Sequence, residues 1–273
     1  MSERIVCKPT PWFLLRAAAM ILMFGIFAVL FYKDGTTGYR EKNLSFYVWQ
    51  AVQAASDEFA ERRTTMGPEE WKAYASGREV ELPEDRSVVP EGTPDPLPWP
   101  EVLGDYGAME SAQDNPKSFF EERLGEMGLK YGPKEHAFDA QQIREQMIIF
   151  WVCLVLALGA LVVLLRTLGR KMALEDGVFQ PAGGRAVKVS DLVRLDLRKW
   201  ATKGLAYAWA RQEGAEERRI RIDGLTYGGF RKEQGEPAEK LMQGIRAGFS
   251  GELIEYETED AAAGETAAAE EGK

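Results

Sequence analysis

Residues 147–165 read MIIFWVCLVLALGALVVLL, an unbroken apolar run. Wound as a helix, such a run is about long enough to cross a roughly 30 Å hydrocarbon layer. Working outward from it, residues 13–32 (FLLRAAAMILMFGIFAVLFY) form its counterpart near the start of the chain. The fold class follows: an integral membrane protein with two transmembrane helices, a mainly α-helical extracytoplasmic loop and a small α+β C-terminal domain. The expected division is a cytoplasmic head over 1–12, spans at 13–32 and 147–166, a helical and proline-rich loop over 33–146, a C-terminal domain over 172–257 and an acidic tail over 258–273.

The net charge of −9 is unevenly spread. Acidic residues prevail in the loop and tail, whereas basic ones outnumber them over 185–232. A whole-chain basic footprint is absent, so no nucleic-acid partner is expected. Cys7 lies ahead of the first span and Cys153 inside the second, which argues against a structural disulfide. Lys33, Asp34 and Gly35 follow the first span where a cleavable signal would need small residues, so the span reads as a retained anchor. Trp12, Tyr32 and Trp151 fall near span ends, as amphipathic aromatics do, and Arg16 can extend its guanidinium back to the headgroups. These four residues form the expected membrane interface. Arg4, Lys8 and Arg16 flank the first span, and Arg166, Arg170 and Lys171 follow the second, so the positive-inside bias places both termini in the cytoplasm and the loop outside. Ala157, Gly159 and Ala160 are small enough for close helix approach and would permit a homo-oligomer.

Within the loop, KDGTTG reads as a break before an amphipathic helix whose apolar face is Phe46, Trp49, Val52 and Phe59. A short helix should start at Gly67 or Pro68, with Glu69 and Glu70 in its first turn, and end by Gly77. Segment 82–100 is proline-rich, PDPLPWP included, and should run extended over a surface. A further helix is expected over 116–129 with Asn115 as its cap. Asp139 should cap a helix that continues into the second span, with the first loop helix packed beside it. His136 is the only histidine. The acidic pairs Asp57/Glu58, Glu69/Glu70, Glu84/Asp85 and Glu121/Glu122 are ordinary helix-end or solvated charges, and no zinc, calcium or phosphate-binding motif appears. No cofactor, metal or enzymatic activity is expected.

Beyond residue 171 the pattern changes to short alternating runs, ALEDGVFQP, RAVKVSDLVRLDLRKW, GLAYAWARQ and ERRIRIDGLTY, which read as a small antiparallel sheet. A turn or bulge is expected at 190–192, a hairpin closure at Lys203-Gly204, and a closing helix from Pro237 with Leu241, Ile245 and Phe249 on one side. The basic residues Arg166, Arg170, Lys171, Arg185, Lys188, Arg198, Lys199 and Lys203 are candidate contacts for anionic lipid, which attracts each such group with about 1 kcal/mol. Against this stands pairing with Glu213, Glu216 and Glu217. Residues 258–273 are alanine, glutamate and glycine, a composition expected to be disordered.

VKVSDLVRLDLRKWATKGLAYAWAR followed by RRIRIDGLTYGG, with a closing helix, resembles the bacterial PH-like domains attached to membrane spans. The resemblance covers about 85 residues and implies a seven-stranded sandwich with a binding or assembly role. The chain is then expected to sit in a bacterial cytoplasmic membrane as a scaffold joining its outer loop to an inner PH-like module, with protein partners unidentified. The alternative is a receptor subunit that senses a ligand in the loop and signals through the second span.

Overall fold

The structure, a computed structural model, describes residues 4–211 and 216–256. Glu213 and the acidic tail lie outside the described residues. The chain divides into two compact units, Met23–Leu156 and Met1–Leu22 with Ala157–Lys273.

Helix α1 (Pro11–Lys33) carries the first apolar run. The expected break at KDGTTG does not occur. Residues Asp34–Gly38 wind as a π-helix and pass directly into α2 (Tyr39–Arg62), giving one helical rod from Pro11 to Arg62. Two glycines would cost such a helix about 1 kcal/mol each, and side chains offset that cost. The Arg40 guanidinium donates to the carbonyls of Gly35 and Thr36 at 2.8 and 2.6 Å, the Thr36 hydroxyl donates to Tyr32 O at 2.8 Å, and Lys42 pairs with Asp34 at 3.0 Å. Gly35 is there for contact: a Cβ would come within 2.7 Å of Met147 Sδ.

The buried stripe of α2 is Val48, Ala51, Val52, Ala55 and Phe59. Phe46 lies outside that core and Trp49 at its margin, edge-on to Phe120 at 5.3 Å, because valine and alanine carry the period. Helix α3 (Pro68–Ser76) begins and ends where expected, and the Gly67 N–H donates to the Glu70 carboxylate at 2.9 Å. Its Trp71 is buried edge-on to Phe59 and donates to Leu103 O at 2.9 Å. The proline-rich segment makes one bridge, Glu79 with Pro98, and one 3₁₀ turn, Arg86–Val88. It does more than lie on a surface, since Val88, Val89 and Trp99 are buried.

Helix α4 (Tyr106–Asp114), capped by Asp105, was not expected. Helix α5 (Pro116–Glu122) starts after Asn115 as expected but stops well short of residue 129, where Gly125 and the left-handed Gly128 (φ 68°) turn the chain. Helix α6 (Ala140–Leu168) runs unbroken into the second apolar run. Its start is a reciprocal box: Asp139 Oδ1 accepts from Gln142 N at 2.7 Å and Gln142 Oε1 from Asp139 N at 3.0 Å. Both α1 and α6 are long and apolar enough to cross a membrane. The expected packing of the first loop helix beside the approach to α6 is present. Asn43, fully buried, donates to Val88 O and Phe138 O at 2.7 and 2.8 Å and accepts from Phe138 N at 2.7 Å, while Tyr39 stacks on Phe138 at 4.0 Å.

The other unit has two four-stranded sheets where the residue pattern alone reads as one. The first runs β1 (Ile5–Cys7), β2 (Met172–Glu175), β3 (Val178–Gln180) and β4 (Val187–Lys188), antiparallel throughout. The head is therefore no separate segment, because Ile5 pairs with Leu174 and Cys7 with Met172. A 3₁₀ turn at Val189–Asp191 leads to β5 (Leu192–Asp196), with a register shift between Leu192 and Arg194, next to the expected bulge. The short helix α7 (Trp200–Lys203) and left-handed Gly204 close the expected hairpin into β6 (Leu205–Ala210), which pairs with β7 (Arg218–Asp223).

Helix α8 (Pro237–Gly248) buries Ala238, Leu241, Met242 and Ile245, as its spacing requires. It does not end the fold: β8 (Glu252–Ile254) follows and joins β5 in parallel. Both sheets and α8 share one core containing Met172, Phe179, Leu195, Ile222 and Leu241. Among the described residues this unit is an α+β sandwich.

Candidate functional site

All eight basic residues singled out from the sequence are exposed. They are carried by several elements. Arg166 ends α6, and Arg170 and Lys171 link it to β2. The Arg170 guanidinium lies against Gly183, where a Cβ would meet it at 2.9 Å, and the nearby Arg185 carbonyl accepts from Arg218 at 3.0 Å. Lys188 stands on β4 opposite Val178. Arg198, Lys199 and Lys203 sit at the corner between β5 and β6. Arg198 is engaged, making two bonds to the Asp196 carboxylate at 3.0 and 2.7 Å and holding that carboxyl below its usual range. Glu217 pairs with Arg211 rather than with any of the eight. Arg166, Arg170, Lys171, Lys199 and Lys203 have no carboxylate at ion-pair distance among the described residues.

The Lys203 corner adjoins the start of α1. Gly224 N–H donates to Gly204 O at 2.8 Å, the Thr10 hydroxyl donates to Leu225 O at 3.1 Å, and Thr10 N–H donates to Thr226 O at 2.9 Å. The turn after β7 is thereby clamped to the residue before Pro11. Between them lies a cleft of about 320 Å³ lined by Trp12, Leu225, Phe230 and Arg231. Sequence reading missed Leu225 and Arg231, and only a pairing across 215 residues reveals them.

The outer face of β6 holds a second feature not foreseen. Tyr207 and Trp209 alternate with the buried Ala206, Ala208 and Ala210. Arg219 lies over Tyr207 at 4.3 Å and Arg194 over Trp209 at 5.5 Å, so basic and aromatic residues interleave here. Arg194 is already paired with Glu252 at 2.9 Å.

Of the expected interface residues, Trp12, Tyr32 and Trp151 are half-exposed and Arg16 is exposed. Tyr32 meets Phe150 at 5.3 Å, and Phe150 meets Trp151 at 4.9 Å, forming one aromatic group. In the candidate helix-packing set, Ala157 is buried within the chain, whereas Gly159 is exposed with open space around it and Ala160 is half-buried. The buried positions of α6 near its middle are Cys153 and Ala157, four residues apart. Ala157 is therefore covered without a second copy.

In the helical unit a cleft of about 880 Å³ is lined by Pro68, Lys72, Pro98, Trp99, Glu101 and Tyr106, among others. His136 is exposed near Phe138. Three carboxylates of the acidic pairs serve structure: Glu58 accepts from Tyr74 and Arg78, raising the Tyr74 phenol's pKa, while Glu70 and Asp85 cap short helices. Comparison with protein-family models, curated proteins and solved structures finds no match.

Proposed function

We propose that the chain is a two-pass membrane scaffold that couples an extracytoplasmic helical unit to a cytoplasmic sandwich of PH-like character. The observation that carries this reading is the pairing of β1 with β2. It puts the residues before the first apolar run and those after the second into one sheet, as two crossings require. The basic flanks Arg4, Lys8, Arg166, Arg170 and Lys171 then favour the cytoplasm for that sheet. Two sheets sharing a core with one helix support the PH-like comparison. The strand contributed by the head and the strand after α8 are its departures. The work is binding and positioning, carried by continuous helices: α6 leads from its cap at Asp139 to Leu168 without interruption, and only Gly169 to Lys171 separate it from β2.

The large cleft beside Trp99 favours a second reading, a receptor subunit in which a ligand seated there biases the helices. Ser76, exposed at the end of α3, gives the topology test. A Ser76→Cys variant should react with an impermeant thiol reagent in intact cells, and reaction only after lysis overturns the orientation. Cross-linking and purification from gently solubilised membranes should recover a stoichiometric protein partner. A shift in melting temperature with small metabolites, without any such partner, would favour the receptor.

A further inference from the structure

We infer that the turn after β7, with the start of α1, forms a binding site for one anionic glycerophospholipid, and that Leu225 is its apolar anchor. This rests on the membrane reading above. The depth of the turn is set by covalent and hydrogen-bonded connection. Thr10 directly precedes the helix that carries the first apolar run, and its hydroxyl and N–H both bind the 225–226 backbone, at 3.1 and 2.9 Å. Wherever Trp12 meets the lipid boundary, Leu225 meets it too.

The turn is built to present that side chain. Asp223 Oδ1 accepts from Thr226 N at 2.9 Å, and Gly224 is enclosed, so that a Cβ would lie 2.6 Å from Trp200 and 2.9 Å from Ala238 and Phe230. With its neighbours pinned inward, Leu225 points out and remains 49 % exposed, beside Trp12 at 52 %. A soluble surface gains nothing from that pair, whereas a headgroup boundary accepts both.

The cleft between them, about 320 Å³, is also lined by half-buried Phe230 and by Arg231, whose exposure puts it at the rim. Arg231 is exposed with no carboxylate at ion-pair distance among the described residues. Arg16 lies one helical turn beyond Trp12 on the same face of α1, from which a guanidinium can reach back toward the rim. An acyl chain would lie against Trp12 and Leu225, and the phosphate oxygens would accept from Arg231 and Arg16.

The test uses the full chain in nanodiscs of phosphatidylglycerol and phosphatidylcholine brominated high on the acyl chain. An environment-sensitive fluorophore is attached at Leu225→Cys or, as a control, at Leu161→Cys in α6; the native Cys7 and Cys153 are buried. Quenching at both positions is expected. Quenching at 161 but not at 225 overturns the inference and leaves the membrane reading standing, while quenching at neither removes the membrane reading itself. Native mass spectrometry then counts retained phosphatidylglycerol. Arg231→Gln should lower retention about fivefold, and Arg211→Gln, whose native side chain pairs with Glu217, should not. Equal retention by wild type and Arg231→Gln overturns the headgroup site.

Discussion

The sandwich and the helical unit are closed in opposite ways. The sandwich is completed by a strand from the far end of the chain, Ile5–Cys7, laid beside Met172–Glu175 and under α8, where the Cys7 thiol donates to Pro237 O at 3.3 Å. The helical unit starts its helices with local caps at Asp105, Asn115 and Asp139, and is closed across the chain by a buried polar side chain, Asn43, that ties α2 to both the proline-rich segment and the approach to α6. An apolar seam tolerates imprecise partners, but a buried amide demands all of them. The two units should therefore fail differently.

The largest effect is expected from removing residues 1–7. This strips β1 from the sandwich, exposes Met172 and Leu174, and should cost about 3–5 kcal/mol. Limited proteolysis should then cut the sandwich first and leave the helical unit resistant. Simultaneous loss of both would break the contrast. Next, Asn43→Ala leaves Phe138 N–H and two carbonyls without partners and should cost about 2–3 kcal/mol. Hydrogen exchange should rise at residues 86–89 and 136–140 while the sheets stay protected. Asn43→Asp should be no better, since a carboxylate cannot donate to Val88 O and Phe138 O.

Gly224→Ala should cost about 1–3 kcal/mol by forcing its Cβ into Trp200 and Phe230, read as a lower melting temperature of the sandwich alone.

Burial pushes the Cys7 thiol up to about 11 from 9.0. The folded state thus holds a proton that the unfolded state releases. The stability it contributes is complete below about pH 9 and is lost as pH rises toward about 11. Chemical denaturation across that window should show a decline that Cys7→Ala flattens, and alkylation at pH 8 should be negligible until the sandwich unfolds. The smallest effect belongs to Asp196, held low by Arg198. Its contribution is present above the ordinary carboxylate range and is lost as pH falls through the lowered value, so Asp196→Asn should cost less than about 1 kcal/mol at neutral pH.

What the sequence made legible was local. Pro68 after Gly67 and Asp139 as a cap carry their own chemistry, so α3 and the start of α6 could be placed within a residue. Helix α4 was not legible, because YGAMESAQD has a glycine at its second position and few aliphatic side chains. Nor was β1: three residues among charges look like a head until a partner more than 160 residues away supplies the other half of the ladder. The candidate site divides in the same way. Exposed arginines and lysines can be read from composition, but the clamp of Thr10 on Leu225 exists only in three dimensions.

The wide winding at Asp34–Gly38 acts as a phase shifter. In an α-helix each residue turns the chain by about 100°, and a π-type turn accommodates one residue more. Which side of residues 23–33 lies in line with the buried stripe of α2 is thus decided by five residues that contribute almost no apolar surface. Wound as ordinary α-helix, the same five residues would swing one helix relative to the other by about 100°, whereas deleting Thr37 would restore ordinary winding and keep the side chains of both helices in their present phase. The wide turn in that way absorbs a single extra residue without misaligning the rod.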